Sequence, residues 1–175
     1  MLPQVKPHTF RVLQLLDDRA LTNHVLVITR SRVNQDDCMR LNEYSNIRIT
    51  LLVTHSGIAD KRIEPVDSMM AARSLTTAYE HAERYRVVFY WRPIVPGLND
   101  SDADIGRALE LSASAHATVY TGLFYRDEIR RYYEAATAAP GRDRSDTPCF
   151  GTDGVIVRRR PRQGSIDDMC RLPIC

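Results

Sequence analysis

The stretch YRVVFYWRPIVPGLND, residues 85–100, decides how this chain is read. Its first half, Val87 to Trp91, is β-branched and aromatic, the composition of a buried strand. Pro93, Pro96 and Gly97 then interrupt the run, and no ladder is expected to continue through them. Asn99, Asp100, Ser101 and Asp102 then offer several N-cap candidates, Asp100 foremost, for a helix over 102–115 that carries Ile105, Ala108, Leu109, Leu111 and Ala113. A buried strand, a Pro/Gly loop and a helix start form one β/α unit. Ligands of parallel α/β folds lie at the carboxyl ends of such strands, so the loop is the first place to look for chemistry.

The same scheme repeats outward from this unit. HVLVIT (24–29) is an unbroken β-branched run, expected where both faces of a strand are covered. Residues 35–44 read as a helix, and IRITLLVT (47–54) reads as a second strand ending at His55-Ser56-Gly57. Ser68 is the expected N-cap of a helix over 69–84 whose apolar residues recur at helical spacing. ATVYTGLF (117–124) is a fourth strand. The order β-α-β-α-β-α-β argues for parallel strands with right-handed crossovers. The fold class is therefore α/β, as an open doubly wound sheet or as part of a (β/α) barrel. Residues 1–20 form an N-terminal segment with a short helix, and 21–127 form the β/α unit. Residues 128–175 hold one further helix and an Arg/Pro/Gly-rich, cysteine-containing tail, expected to pack poorly around the single apolar run Val155–Val157.

With 175 residues, 43% hydrophobic and 26% charged, the chain can bury one core. The formal charge of +2 points to neither nucleic acid nor an acidic membrane. All basic residues but Lys6 and Lys61 are arginine, and Arg158-Arg159-Arg160 is a basic cluster that leaves an anionic partner, nucleic acid included, open. No apolar stretch approaches the ~18 residues of a membrane span, and no signal-peptide pattern follows Met1. A cytoplasmic location is expected, with reduced thiols. Cys38 falls in a helical pattern. Cys149, Cys170 and Cys175 lack the tight spacing of a zinc site, so three unrelated thiols compete with a loosely held metal or cluster. The catalytic motifs of hydrolases, zincins and nucleotide-binding loops are missing from the sequence.

Taken in order, IEPVDSMMAARSL (63–75), a helix and RPIVPGLND (92–100), preceded by strands ending ITR and VTHSG, resemble the second half of a radical S-adenosylmethionine (radical SAM) barrel. The nearest subgroup is that of spore photoproduct lyase. The resemblance covers about residues 24 to 125. It implies half of a TIM-like barrel, with Arg30 near the cofactor carboxylate and Thr54 and Ser56 near the ribose. It further implies that the 92–100 loop supports adenine, with Val95, Gly97 and Asp100 at the family's positions; Pro93 replaces the first glycine. A [4Fe–4S] cluster belongs to the complete enzyme, but its CxxxCxxC motif does not occur here. The implied partner is a second half-barrel chain or a preceding region bearing the cluster, or a second copy paired through an open sheet edge. A non-catalytic α/β binding or partner subunit is the alternative, and a cluster held by Cys149, Cys170 and Cys175 a third.

Each of these residues also has a plainer role. Arg30 suits a strand-end ion pair, Thr54 and Ser56 suit the turn at Gly57, and Asp100 suits a helix cap. Glu64 and Arg73 are expected to pair with each other. His55 alternates with Thr54 and Ser56 and is expected to be a packed or exposed histidine, while Tyr90, Trp91 and Tyr125 are expected in the core or lining a pocket.

Overall fold

A computed structural model of the chain describes residues 3–123, helical backbone at 129, 131 and 135, and a strand at 154–157. A 3-10 turn at Pro3–Val5 leads into α1 (Lys6–Asp18), followed by β1 (His24–Thr29), α2 (Gln35–Glu43), β2 (Arg48–His55), α3 (Ser68–Glu80), β3 (Arg86–Ile94), α4 (Asp102–Ser112) and β4 (Ala117–Gly122). A last strand, β5 (Gly154–Val157), completes a single sheet of order β1-β2-β3-β4-β5. The first four strands are parallel. Their consecutive order has no reversal point, so the doubly wound alternative is set aside. Right-handed crossovers in one direction put α2, α3 and α4 on one face of the sheet.

That face builds the core. Val27, Ile49, Leu51, Val53, Val87 and Phe89 point toward it and pack with Phe10 and Leu13 of α1, Cys38 and Leu41 of α2, Leu75 and Ala78 of α3 and Ala108 of α4. The alternate positions of edge strand β1, Leu26 and Ile28, are 57% and 46% exposed, so β1 is half-covered rather than covered on both faces. An edge strand with few neighbours cannot bury what a central strand of the same composition does. Asp17 joins α1 to the sheet: its carboxylate accepts the backbone N–H groups of Ser45, Asn46 and Ile47.

Three local expectations change. The 85–100 ladder does not stop at Pro93; after an irregularity between Trp91 and Ile94, the ladder resumes with Ile94 opposite Gly122. Such a bulge absorbs the donor that proline lacks. Ser101, not Asp100, caps α4, because its hydroxyl and Asp104 form a reciprocal capping box. Asp67, rather than Ser68, caps α3 by accepting the Met69 N–H.

The run 155–157, expected within a poorly packed tail, belongs to β5 and pairs antiparallel with β4 from Ala117↔Val157 to Tyr120↔Gly154. Its β-branched composition suits an edge strand. Cys149, Cys170, Cys175, Tyr125 and the Arg158-Arg159-Arg160 cluster lie outside the described residues, as does the expected 128–139 helix beyond its three helical positions. Among the described residues, no helix is long and apolar enough to cross a membrane.

Candidate functional site

The parallel strands share one carboxyl edge, and the chain leaves β1, β2 and β3 there through loops. Arg30 follows β1, Thr54 to Ser56 close β2, and residues 92–100 leave β3. Three of the positions singled out from sequence, Arg30, Thr54 and Ser56, surround one small recess with Glu64, Val66 and Ser68. Its free space is about 10 Å³, the room of roughly one water molecule.

Arg30 supplies the positive charge. Its Nη1 lies 3.0 Å from Glu64 Oε2 and 3.3 Å from Oε1. Glu64 is buried and its Oε1 also accepts the Val66 N–H, while the Arg30 side chain stays 38% exposed. One guanidinium nitrogen thus serves both carboxylate oxygens, unlike the two-nitrogen fork of the strongest arginine–carboxylate pairs. The expected Glu64–Arg73 pair does not form: Arg73 is exposed, and the partner of Glu64 comes from the end of a different strand.

Thr54 and Ser56 are 5% and 3% exposed. Ser56 Oγ accepts the Ile58 N–H and stands 3.5 Å from Ser68 Oγ, which is the turn role that Gly57, at φ +77°, makes possible. His55 alternates to the helix side, with its Nδ1 3.1 Å from the Ser68 carbonyl and its ring against Phe89. Burial lowers the His55 pKa, and the Ser68 carbonyl and Glu64 only partly counter that. His55 is therefore a packed, neutral residue.

The 92–100 loop is bound to the end of β2 by a residue that sequence reading took for a turn and cap candidate. Asn99 is fully buried. Its Nδ2 donates to the Ser56 carbonyl at 2.5 Å and the Pro93 carbonyl at 2.9 Å, and its Oδ1 accepts the Val95 N–H at 2.7 Å. Trp91 Nε1 donates to the same Ser56 carbonyl at 3.2 Å. Inside the loop, the Val95 carbonyl accepts from Leu98 and Asn99, and Asp100 Oδ1 accepts the Gly97 N–H. Gly97, at φ +75°, makes this turn, and a left-handed residue there favours glycine. Val95 is therefore buried with its N–H and carbonyl already engaged, and Asp100 closes the loop. Tyr90 is half-buried with the Arg92 guanidinium 5.1 Å above its ring.

The described residues thus bring Arg30, Thr54 and Ser56 together and set Val95, Gly97 and Asp100 in the adjoining loop. Glu64, Ser68 and Asn99 complete the site. Of these, Glu64 was expected to pair with Arg73, and Ser68 and Asn99 carried only the signal of helix-cap candidates. Among the described residues, no group of three His, Cys, Asp or Glu side chains is placed to hold a metal ion. No family model matches the chain, and neither a curated protein nor a solved structure matches it.

Proposed function

We propose that the carboxyl edge of this sheet binds S-adenosylmethionine, and that the chain is the C-terminal part of a radical SAM enzyme whose cluster is carried by a second half-barrel chain or a preceding region. The observation that carries this reading is the position of Arg30: a half-exposed guanidinium at a parallel strand end, beside two hydroxyl residues of the next strand. Such a group suits a carboxylate, since arginine keeps its charge and offers several coplanar donors. The hydroxyls of Thr54 and Ser56 suit a ribose, and the turn at Gly97 brings polar backbone to the same edge. Bound cofactor and cluster would together supply radical chemistry. The residues of this chain would hold the carboxylate, orient the sugar and exclude water.

A binding test separates the charge from the rest. Wild type and Arg30→Gln are titrated calorimetrically with S-adenosylmethionine and with 5′-methylthioadenosine, which lacks the amino-acid carboxylate. The wild type is expected to prefer the first by about tenfold or more, and the substitution to erase that preference. No binding of either compound, or a preference untouched by Arg30→Gln, sinks the reading.

The second reading is a non-catalytic α/β binding or partner subunit, and β5 favours it. An antiparallel strand on β4 occupies the edge that a closed barrel would have to join, which among the described residues leaves β1 as an edge for a partner or a second copy. Anaerobic reconstitution with iron and sulfide, repeated with Cys149, Cys170 and Cys175 changed to Ala, tests the remaining idea of a tail cluster. A cluster that survives the triple change removes it.

A further inference from the structure

The recess at the end of the sheet is closed by the chain itself. The loop from Gly57 to Asp67 shares the recess with Thr54 and Ser56: Glu64, Val66 and Asp67 form part of the wall around the one-water space. Most polar contacts of this loop are local. Asp60 pairs with Arg62, the Asp60 carbonyl accepts from Ile63 and Glu64, and Lys61 stands 3.7 Å from Asp67. The contact with Arg30 reaches across 34 residues to another strand end. At the two ends of the loop stand Gly57, at φ +77°, and Asp67, the N-cap of α3. Ile58, buried at 2% exposure, holds the first turn in place, whereas Lys61, Arg62 and Pro65 are exposed.

We propose that this loop is a lid over the carboxyl end of β1 and β2, and that the Arg30–Glu64 ion pair is its latch. Three features support it. The space beneath admits about one water, so any organic ligand needs the loop to move. The latch uses a single arginine nitrogen on a partly exposed side chain, so an anion can reach the guanidinium from solvent while Glu64 is still paired. The arginine it occupies is also the positive group at the mouth of the recess. An incoming anion therefore competes with Glu64 for Arg30 and, by winning, releases the lid. That the anion is the carboxylate of S-adenosylmethionine rests on the reading above; the latch does not.

The test is amide hydrogen exchange on the full chain, with Glu64→Gln and with the exchanged pair Arg30→Glu/Glu64→Arg. Loss of one charge-assisted contact is expected to speed exchange at residues 58–66 by about tenfold, with Ile49–Val53 of β2 unchanged. The exchanged pair is expected to slow the lid again. S-Adenosylmethionine is expected to bind Glu64→Gln more tightly than wild type by a similar factor, because less of the protein is held closed. Lid exchange that is unchanged in Glu64→Gln overturns the latch, as does equal acceleration in β2; where S-adenosylmethionine binds both proteins, equal affinity overturns it too. The two ideas fail differently. Faster lid exchange in a chain that binds no S-adenosylmethionine keeps the latch and removes the cofactor. Arg30-dependent binding with unchanged lid exchange does the reverse.

Discussion

Replacing Asn99 with Ala should be among the most destabilising single changes at the carboxyl edge. Asn99 is fully buried, and its amide joins two segments: the end of β2 through the Ser56 carbonyl, and the 92–100 loop through the Pro93 carbonyl and Val95 N–H. Truncation leaves these groups without the amide, but not equally. The Ser56 carbonyl keeps the Trp91 indole N–H, so its loss is small. The Val95 N–H and Pro93 carbonyl lose a partner each, at about 1–3 kcal/mol per buried group. Pro93 is half-buried and water can reach it, which keeps the total in the lower part of the range, about 2–4 kcal/mol. Urea unfolding should show this as a lower midpoint at unchanged slope. Asn99→Asp adds a second signature. Its carboxylate would face two carbonyl oxygens, so this variant should regain stability as acid protonates it, whereas the Ala variant should not. A loss below about 0.5 kcal/mol for Asn99→Ala, within the ordinary range for surface changes, would refute the clamp.

Two further predictions concern pH. Burial raises the Asp17 carboxyl, but the N–H groups of Asn46, Ile47 and Ser45, with Arg84 nearby, outweigh it, and its pKa is lowered from 3.8. Its contribution is therefore fully present above the unfolded value and lost as pH falls through the lower folded value. Asp17→Asn should be less stable at neutral pH and lose less on acidification, read by urea midpoints between pH 7 and about 3; parallel curves would refute this. His55 is held neutral by burial, with its pKa lowered from 6.5. The unfolded chain gains a proton there that the folded chain resists, so stability should fall as pH drops below 6.5 toward the folded value. His55→Gln should flatten that part of the profile, and an unchanged slope would show that another group titrates.

The α/β alternation was legible because strands and helices write their periods locally. VVFYW, HVLVIT and ITLLVT all read as strands, and all are strands. What composition does not carry is which elements meet. Glu64 pairs with Arg30 across 34 residues because consecutive strand order brings the end of β1 beside the β2–α3 loop. Arg73, closer in sequence, points outward on α3. Asn99 looked like a cap because Asn, Asp and Ser are all cap formers. The choice of Ser101 followed from Asp104 standing three residues on, which left Asn99 to the loop and Asp100 to Gly97. The antiparallel pairing of β5 was hidden for the same reason: a four-residue apolar run in a Pro/Arg-rich setting carries no information about its partner. Arg30, Thr54 and Ser56 were singled out through the resemblance, as residues at strand ends; the buried polar groups beside them were not, since burial is set by topology.

The most direct test of the central claim is a residue-resolved titration of the isotope-labelled chain with S-adenosylmethionine, followed by amide and arginine side-chain resonances. Binding at the carboxyl edge should move Arg30 Nε–H and the amides of Thr54, Ser56, Glu64 and Gly97 with one saturable constant, leaving Asp17 and the α1 side of the sheet still. Saturable shifts centred elsewhere, or no saturable shift at Arg30, would contradict it.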